Sequence, residues 1–533
     1  MGGEDLLSMC KRRGFVYSSF ELYGGSAGFY DYGPLGTQLK NNIETLWRKR
    51  YAGERNFAEI SCPAITPEAV LKASGHVDRF TDYITRCSKC SSTYRADHLL
   101  KGVVEDSLEL DLEGLRRVFE ENGIRCEKCG EKLIEIYPFN LMFETKIGEN
   151  TRAYLRPETA QGIFINFSNS YRYFREKIPF GVMQLGRGYR NEISPRQGMI
   201  RMREFNMAEV EFFYDEARCR EIDKVSAEEL NFLTNEEENI SLSVRDALRR
   251  GTARNEYVLY FMALTQKFLL DVGIDKNRMR FRQHAREERA HYANDCWDAE
   301  ILLEDWVEVV GIADRGTYDL SAHIHSSKED FSVERRKKAL KAHREALAET
   351  FGERAGSMAI ALESMEFDED EDIENISVDG TSIDKRFFEQ IMVKKGRIVP
   401  RVIEPSYGID RILYAVLYHN FKKEKEYTIL ALPPKMAPIK FGIFPLLRRK
   451  EMKDLARKIF TDLRENGIES FYDESGSIGR RYARMDEIGT PFCITIDHES
   501  LENGSATLRF RDTKEQERVS LSGIVERAEN LLR

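Results

Sequence analysis

Residues 187–206, RGYRNEISPRQGMIRMREFN, place five arginines and two glutamates in twenty positions, in a 533-residue chain whose formal net charge is −9. An acidic protein that concentrates cation in one segment is not a nonspecific nucleic-acid coat, but a local basic patch can still hold one chosen anion. The flanks GVMQLGRGYRNE (181–192) and MIRMREFNMAEVEFFY (199–214) predict two strands joined by a polar loop. In the second, Glu209 and Glu211 alternate with Val210 and Phe212, so both carboxylates share one strand face. A guanidinium forks onto phosphate with two hydrogen bonds and stays charged. Arg190 and Arg201, one on each expected strand, converge on one anion; a surface ladder of Arg–Glu pairs is the alternative reading.

Farther out, EPSYGIDRILYAVLYHNF (404–421) predicts a strand, a turn at Gly408 and a helix that begins near Arg411. No GxxxxGK[ST] occurs, so an ATP site here is built from arginines on sheet strands and not from a phosphate loop. Residues 35–51 align Leu35, Leu39, Ile43, Leu46, Trp47 and Tyr51 on one helical stripe, which suits burial against something large, such as a second subunit. FAEISCPAI (57–65) predicts a strand that Pro63 interrupts, and 307–320 a strand and turn. Residues 220–280 are expected to be mostly helical. VERRKKALKAHREALAET (333–350) predicts a basic helix, and ESMEFDEDEDIE (363–374) carries eight acids, so 321–400 is expected to be a solvated insertion. From residue 425 onward, strand and helix alternate in a separate α/β domain.

No stretch of 18 apolar residues exists, so no membrane partner is expected, and the acidic start MGGEDLLSMCKRRG lacks the features of a signal peptide. Nine cysteines, four of them in two CxxC pairs, fit metal binding in a reducing cytoplasm better than a disulfide framework. Cys87, Cys90, Cys126 and Cys129, with residues 91–125 between the pairs, suit a tetrahedral structural zinc on a projecting insertion; four reduced thiols are the alternative. Cys10, Cys62, Cys219, Cys296 and Cys493 read as buried or incidental.

Arg190-Asn191-Glu192 with Arg201 resembles motif 2 of the class II aminoacyl-tRNA synthetases, YGIDRIL (407–413) resembles motif 3, and the helix at 35–51 with Pro63 resembles motif 1, the dimer-interface motif. More narrowly, YGGSAGFYDYGPLG, RADHLL, FNLMFET, LRPETAQGIF, FRQH…AHYANDCWD, GIADRGTYDLSAH and VIEPSYGIDRI, in that order, resemble the homodimeric glycyl-tRNA synthetases from about residue 10 to the C-terminus. The resemblance implies an α+β fold: an antiparallel class II sheet flanked by helices, with insertions, and a C-terminal mixed α/β anticodon-binding domain. It divides the chain into core (1–85), zinc-ribbon-like insertion (86–135), core (136–320), insertion (321–400), motif 3 (401–424) and anticodon domain (425–533).

By the same resemblance Arg190 meets the α-phosphate of ATP, and Arg411 the γ-phosphate end. Asn191, Glu192, Arg201, Met202, Phe205 and Gly408 complete the ATP site, while Glu308 and Val309 belong to the strand that binds ATP and Mg2+. Glu158, Glu209, Glu404, Pro405 and Ser406 match the glycine pocket, with Arg95 a further substrate contact. The implied partners are ATP, glycine, tRNA(Gly) and a second copy of the chain. Several carboxylates around an ammonium are sound chemistry for glycine, and a filled space beside Cα suffices to reject alanine. Arg480, Arg481 and Arg484 beside Tyr482 offer the anticodon domain a basic and aromatic mix suited to unstacked bases, or else a solvated basic loop. Two other functions remain open. One is a catalytically inactive synthetase-like nucleic-acid-binding protein, which would tend to lose the phosphate arginines kept here. The other is a serine or threonine enzyme, against which EPS (404–406) and RPET (156–159) argue by resemblance.

Overall fold

The computed structural model describes every residue except 1–2, 53–55, 101–102, 104–110, 134, 194, 196–197, 216–218, 220, 286–292, 368–370, 424–426 and 533. Parts of the arginine loop, of the charged segment at 105–122 and of the acidic run at 363–374 therefore lie outside the described residues.

The larger part of the chain is built on a nine-stranded sheet. Its strands are β1 (Phe57–Glu59), β2 (Phe180–Tyr189), β3 (Glu204–Tyr214), β4 (Glu229–Leu233), β5 (Asn239–Ser243), β6 (Met279–Gln283), β7 (Asp295–Leu302), β8 (Trp306–Gly316) and β9 (Arg401–Gly408). Their spatial order is β5-β4-β6-β7-β8-β9-β3-β2-β1, antiparallel except where β4 meets β6 and β1 meets β2.

Strand alternation divides this sheet into two unlike faces. Val210 and Phe212 on β3, Ile403 and Tyr407 on β9, Val310 and Ile312 on β8, and Trp297 and Ala299 on β7 point one way into the main apolar core. Three helices cover them: α1 (Pro34–Ala52), α3 (Glu256–Asp271) and α5 (Ile409–Asn420). The opposite face carries polar rows set by register. Gln184, Glu209, Ser406, Gly311 and Asp298 lie side by side across five strands, and Glu404, Ala313 and Cys296 form the next row. Two further helices, α2 (Ala160–Ile165) and α4 (Tyr318–Ser327), lie between α1 and α5 in the chain. With α2 comes a satellite apolar cluster that includes Phe164, Phe167, Phe180 and Phe213.

The apolar stripe of α1 packs within this chain. Leu39, Ile43, Trp47 and Tyr51 are fully buried, and the Tyr51 hydroxyl lies 2.6 Å from that of Tyr407, which in turn meets Thr265 Oγ1 at 2.8 Å. The expectation that the stripe awaits a large partner is thus met by the chain's own sheet. Residues 220–280 are not mostly helical, because β4 and β5 form a hairpin and β6 follows α3. Local propensity at ELNFL and NISLS yields there to pairing at the sheet edge.

The 321–400 segment is a folded module and not a solvated insertion. Val333–Ala342 is a strand, paired along its length with Phe388–Ile398, so of the basic helix expected over 333–350 the part from Arg344 onward is helical, and a second helix follows at Ala355–Glu363. Leu340, Leu347, Met358, Leu362, Ile383 and Phe388 give the module its own core. Basic side chains along the strand find acceptors, Lys338 Nζ donating to Glu371 O at 2.6 Å and Arg336 meeting Glu334 at 3.1 Å, so a basic run tolerates an extended conformation as readily as a helix.

The cysteine module is wider than 86–135, since its sheet joins Thr81–Arg86 to Ile136–Asn140 and to Thr93–Arg95. The C-terminal domain has five strands: β10 (Phe441–Pro445), β11 (Ser470–Tyr472), β12 (Phe492–Ile496), β13 (Ser505–Phe510) and β14 (Gln516–Ser520). They lie in the order β11-β10-β12-β13-β14, parallel among the first three and antiparallel beyond. Helix α6 (Lys450–Glu465) buries Met452, Ala456, Ile459 and Leu463 against them, and Gly467, at φ 74°, closes it in the left-handed conformation. Leu430, Leu432 and Met436 share one apolar cluster with Phe444, Met485, Ile488 and Cys493, and Arg511 donates to the Leu430 and Leu432 carbonyls, so the chain just past 425 packs against the C-terminal domain as well as the large sheet's core.

Candidate active site

At the edge of the polar face, Arg190, Glu192, Arg201, Met202, Phe205, Glu308, Val309, Gly408 and Arg411 line a single cavity. It opens into a cleft of about 1030 Å3 bordered also by Phe80, Arg95 and Trp306. Arg190 stands one residue past β2, and its backbone N–H donates to Arg203 O at 2.9 Å. Its guanidinium carbon lies 5.4 Å from the centre of the Phe80 ring and 5.3 Å from that of Phe205, a cation held between two aromatic faces. Arg201 lies in the connecting loop and not on a strand, and its Nε donates to Glu192 Oε2 at 2.7 Å.

Arg411 enters the cavity from the first turn of α5. Its Nε donates to Ile200 O at 3.0 Å, and its Nη1 to Glu308 Oε2 at 2.9 Å and Glu308 O at 3.0 Å. The turn of α5 is fixed by Asp410, a buried carboxylate that sequence reasoning missed. It accepts from Asn206 Nδ2 at 2.9 Å, from the Asn206 backbone N–H and from the Tyr32 hydroxyl. Burial raises its pKa, against the pull of these donors. The signal available in sequence was an acid in a helix's first turn directly before the arginine. Asn191 is tied through its N–H to Leu141 O at 2.6 Å and is not among the residues lining the cavity.

Deeper on the same face is a wall of buried carboxyls. Glu209 Oε2 accepts from the Thr159 N–H at 2.7 Å, and its Oε1 from Ser406 Oγ at 2.9 Å. Glu404 accepts from Arg315 Nη1 at 2.5 Å, while Arg315 Nε and Nη2 grip Asp319 on α4 at 2.7 and 2.8 Å. Glu158 accepts from Gln161 Nε2 at 3.0 Å, and its other oxygen lies 3.4 Å from His76 Nε2. Burial would raise the Glu158 pKa, but His76, Arg315 and Gln161 together hold it well below the usual carboxylate range. Burial wins at Glu209, whose pKa is raised with Glu158 adding repulsion, and at Glu404, which is pushed up to about 8 despite Arg315.

Glu209 and Glu404 thus occupy the middle of paired strands, where side-chain direction is fixed by the ladder. Pro405, by the same alternation, pairs with Ile312 and turns to the apolar face, so its side chain does not join the pocket wall. Arg95 is clamped by Asp82 at 2.8 Å and Asp97 at 2.7 Å and lines the outer cleft beside Glu192, away from that wall. Arg315 and Asp319 were within the stretch GIADRGTYDLSAH, but nothing in the sequence said that the guanidinium would be buried between two acids.

The four cysteines of the insertion meet. Cys87 Sγ lies 3.5 Å from Cys129 Sγ, Cys90 Sγ lies 3.4 Å from Cys126 Sγ, and all four sulfurs fall within 4.8 Å of one another. Each CxxC turns alike: the Ser91 N–H donates to Cys87 O and the Gly130 N–H to Cys126 O, with both donors' residues at positive φ. Four thiolates at this spacing fit the tetrahedral sulfur shell of zinc, whose Zn–S bonds are about 2.3 Å.

In the C-terminal domain, Arg481 is buried and donates to Pro445 O at 2.7 Å, Arg484 pairs with Asp473 at 3.0 Å, and the Tyr482 hydroxyl meets Thr495 Oγ1 at 2.7 Å. These three brace the helix Ile478–Glu487, and Arg480 alone of the four is exposed. No helix among the described residues is long and apolar enough to cross a membrane.

Comparison with known proteins agrees with this geometry. The class II tRNA synthetase core domain (G, H, P, S and T) matches residues 143–420, and the anticodon binding domain matches 438–531. A glycine–tRNA ligase of Methanothrix thermoacetophila is 46% identical over 99% of this chain and 97% of its own length. Those of Methanocaldococcus jannaschii and of a Methanococcus maripaludis strain are 44% and 43% identical, each over 98% of both chains. With a class II core, an anticodon-binding domain and full-length similarity of this degree, the chain belongs to the glycine–tRNA ligase family of class II tRNA synthetases.

Proposed function

We infer that this chain activates glycine with ATP and passes the glycyl group to the 3′ end of tRNA(Gly). The observation that carries the reading is that Arg190 and Arg411, from distant parts of the chain, line one cavity beside the carboxyl wall. The glycine carboxylate is already a nucleophile at neutral pH and needs no general base. It attacks the α-phosphorus of ATP in line, the bond to the β-phosphate oxygen breaks, and pyrophosphate leaves. Arg190 neutralises charge at the α-phosphate, Arg411 holds the γ-phosphate end, and Glu158, Glu209 and Glu404 take the ammonium with Ser406 beside them.

Glu308 offers a hard carboxylate oxygen at the cavity, and an ideal Cβ on Gly311 would lie 3.8 Å from Glu308 Oε1 and 3.9 Å from Asp298 Oδ1, so two carboxylates face one small space. That donor set suits Mg2+, which would supply further charge neutralisation on the phosphates. Glycine-dependent exchange of pyrophosphate into ATP tests the reading, with alanine and serine as controls. Exchange with glycine alone is expected. Absence of exchange with glycine would instead favour an inactive, nucleic-acid-binding relative.

Three finer readings accompany it. Cys87, Cys90, Cys126 and Cys129 hold one structural zinc: about one zinc per chain is expected by elemental analysis, and Cys126→Ser should lose it and lower the melting temperature. Retention of a full equivalent by that variant would rule the assignment out. The chain works as a homodimer in the cytoplasm, a reading supported by the motif 1 resemblance and by nine cysteines none of which is in a disulfide. Sedimentation at twice the 61.9 kDa chain mass is the expected result for the dimer.

A further inference from the structure

One buried acid on the polar face has no part in the mechanism above. Glu211 is fully buried, and neither of its carboxylate oxygens has a hydrogen-bond partner. The constant register that sets Glu209 against Ser406 and Phe212 against Ile403 puts Glu211 opposite Glu404. On its other side it meets Val182 of β2, which offers no polar atom in the side chain. Like charges directly opposite on paired strands repel, and an unpartnered buried carboxylate is costlier still.

The surroundings do not supply the missing cation. Glu209 lies on the same strand, Glu404 on β9, and Arg315 and Asp319 come from the end of β8 and from α4. Behind them, Glu158 is met by His76, and His323 of α4 hydrogen-bonds Gln161 of α2 at 2.9 Å. Five carboxyls therefore share the Arg315 guanidinium, already engaged by Glu404 and Asp319, the His76 imidazole, engaged by Glu158, and the charge of Arg156, which reaches Glu209 while its guanidinium donates to the Arg187 and Cys62 carbonyls. A block this acidic, shut off from water, lacks positive charge until something brings it.

We propose that Glu211 holds a proton while the pocket is empty and releases it when the ammonium of the amino acid enters, so that glycine binding exchanges a proton for a cation. The inference rests on reading Glu158, Glu209 and Glu404 as the ammonium pocket. The balance is simple. The Glu211 carboxyl ionises, its proton leaves to solvent, and the new carboxylate is compensated by the ammonium; no other bond forms or breaks. Burial above all, then the repulsion of Glu404, pushes Glu211 well above the usual carboxylate range, with Arg315 opposing. Glu211 acts here as a positioning residue, through the charge balance of its neighbours.

The sign follows by linkage: if binding releases a proton, affinity for glycine rises with pH, by up to about tenfold per unit for one fully linked proton. The test is calorimetric titration of the full-length protein with glycine between pH 6 and 8, in phosphate and in Tris, whose ionisation heats differ. The wild-type protein should release a substantial fraction of a proton per glycine near pH 7, seen as a buffer-dependent heat. E211Q, which fixes a neutral group of the same shape, should lose that release and flatten the pH dependence of glycine affinity. A wild-type heat that is the same in both buffers would overturn the proposal without need of any variant, and so would unchanged proton release in a folded E211Q. Should Glu209→Ala leave glycine affinity unaltered, the pocket reading fails and the inference with it. Glycine binding that depends on Glu209 but moves no proton sinks the inference alone.

Discussion

Arg190→Ala is expected to lower kcat/KM for glycine-dependent pyrophosphate exchange by about 10^2- to 10^3-fold, the scale seen when one preorganised donor to a developing oxyanion is removed. The fall should lie in kcat, because the interaction tightens as charge builds on the α-phosphate and not when ATP first docks. Phe80 and Phe205 flank the guanidinium and hold its plane, so Arg190→Lys should recover only part of the loss: an ammonium is a point charge and cannot reproduce the fork. Arg411→Ala provides the contrast. Its side chain is tied to Ile200 O and Glu308 at the far side of the cavity, so the KM for ATP should rise while glycine affinity stays put. Exchange kinetics at saturating and limiting ATP separate the two. Equal loss in both substrates for either variant, with a lowered melting temperature, would mean that a fold has been damaged and a phosphate contact has not been tested.

The second large effect concerns stability. Arg315→Met removes the guanidinium that holds Glu404 and Asp319 together in a region about 1% exposed at the arginine. Breaking a buried charge network from one side typically costs about 3–5 kcal/mol, because it leaves uncompensated charge behind. The urea midpoint of the catalytic domain should fall accordingly. Asp319→Asn in the same background should restore part of the loss, since it deletes one of the orphaned charges. The variant should also bind glycine poorly, Glu404 having lost the partner that orients it. An unchanged urea midpoint would show that water or a shifted side chain replaces Arg315 and that the carboxyl wall is open to solvent.

That Arg190, Arg201 and Arg411 would meet was legible before any coordinates, because each stands in a local pattern, and they do line one cavity. Arg190, Arg201 and Arg411 stand out as arginines beside strand ends and a helix start, and pairs of cysteines at CxxC spacing announce themselves. Other features were not legible. The basic run at 333–350 obeys no period that distinguishes strand from helix, and its partner strand at 388–398 lies some forty residues away. The stripe on α1 is equally apolar whether it meets a second subunit or its own sheet.

What the sequence alone determined was the inventory: which charges exist, which strands alternate, and where glycine permits a turn. The tertiary structure decided which charges lack a partner. Glu209, Glu211 and Glu404 look alike in one dimension. Only strand register, a long-range property, puts Ser406 and Thr159 around the first, Arg315 on the third and no donor at all on the second. The energy of a buried charge depends on what lies within a few ångströms in space, and those neighbours come from residues up to two hundred positions away in the chain.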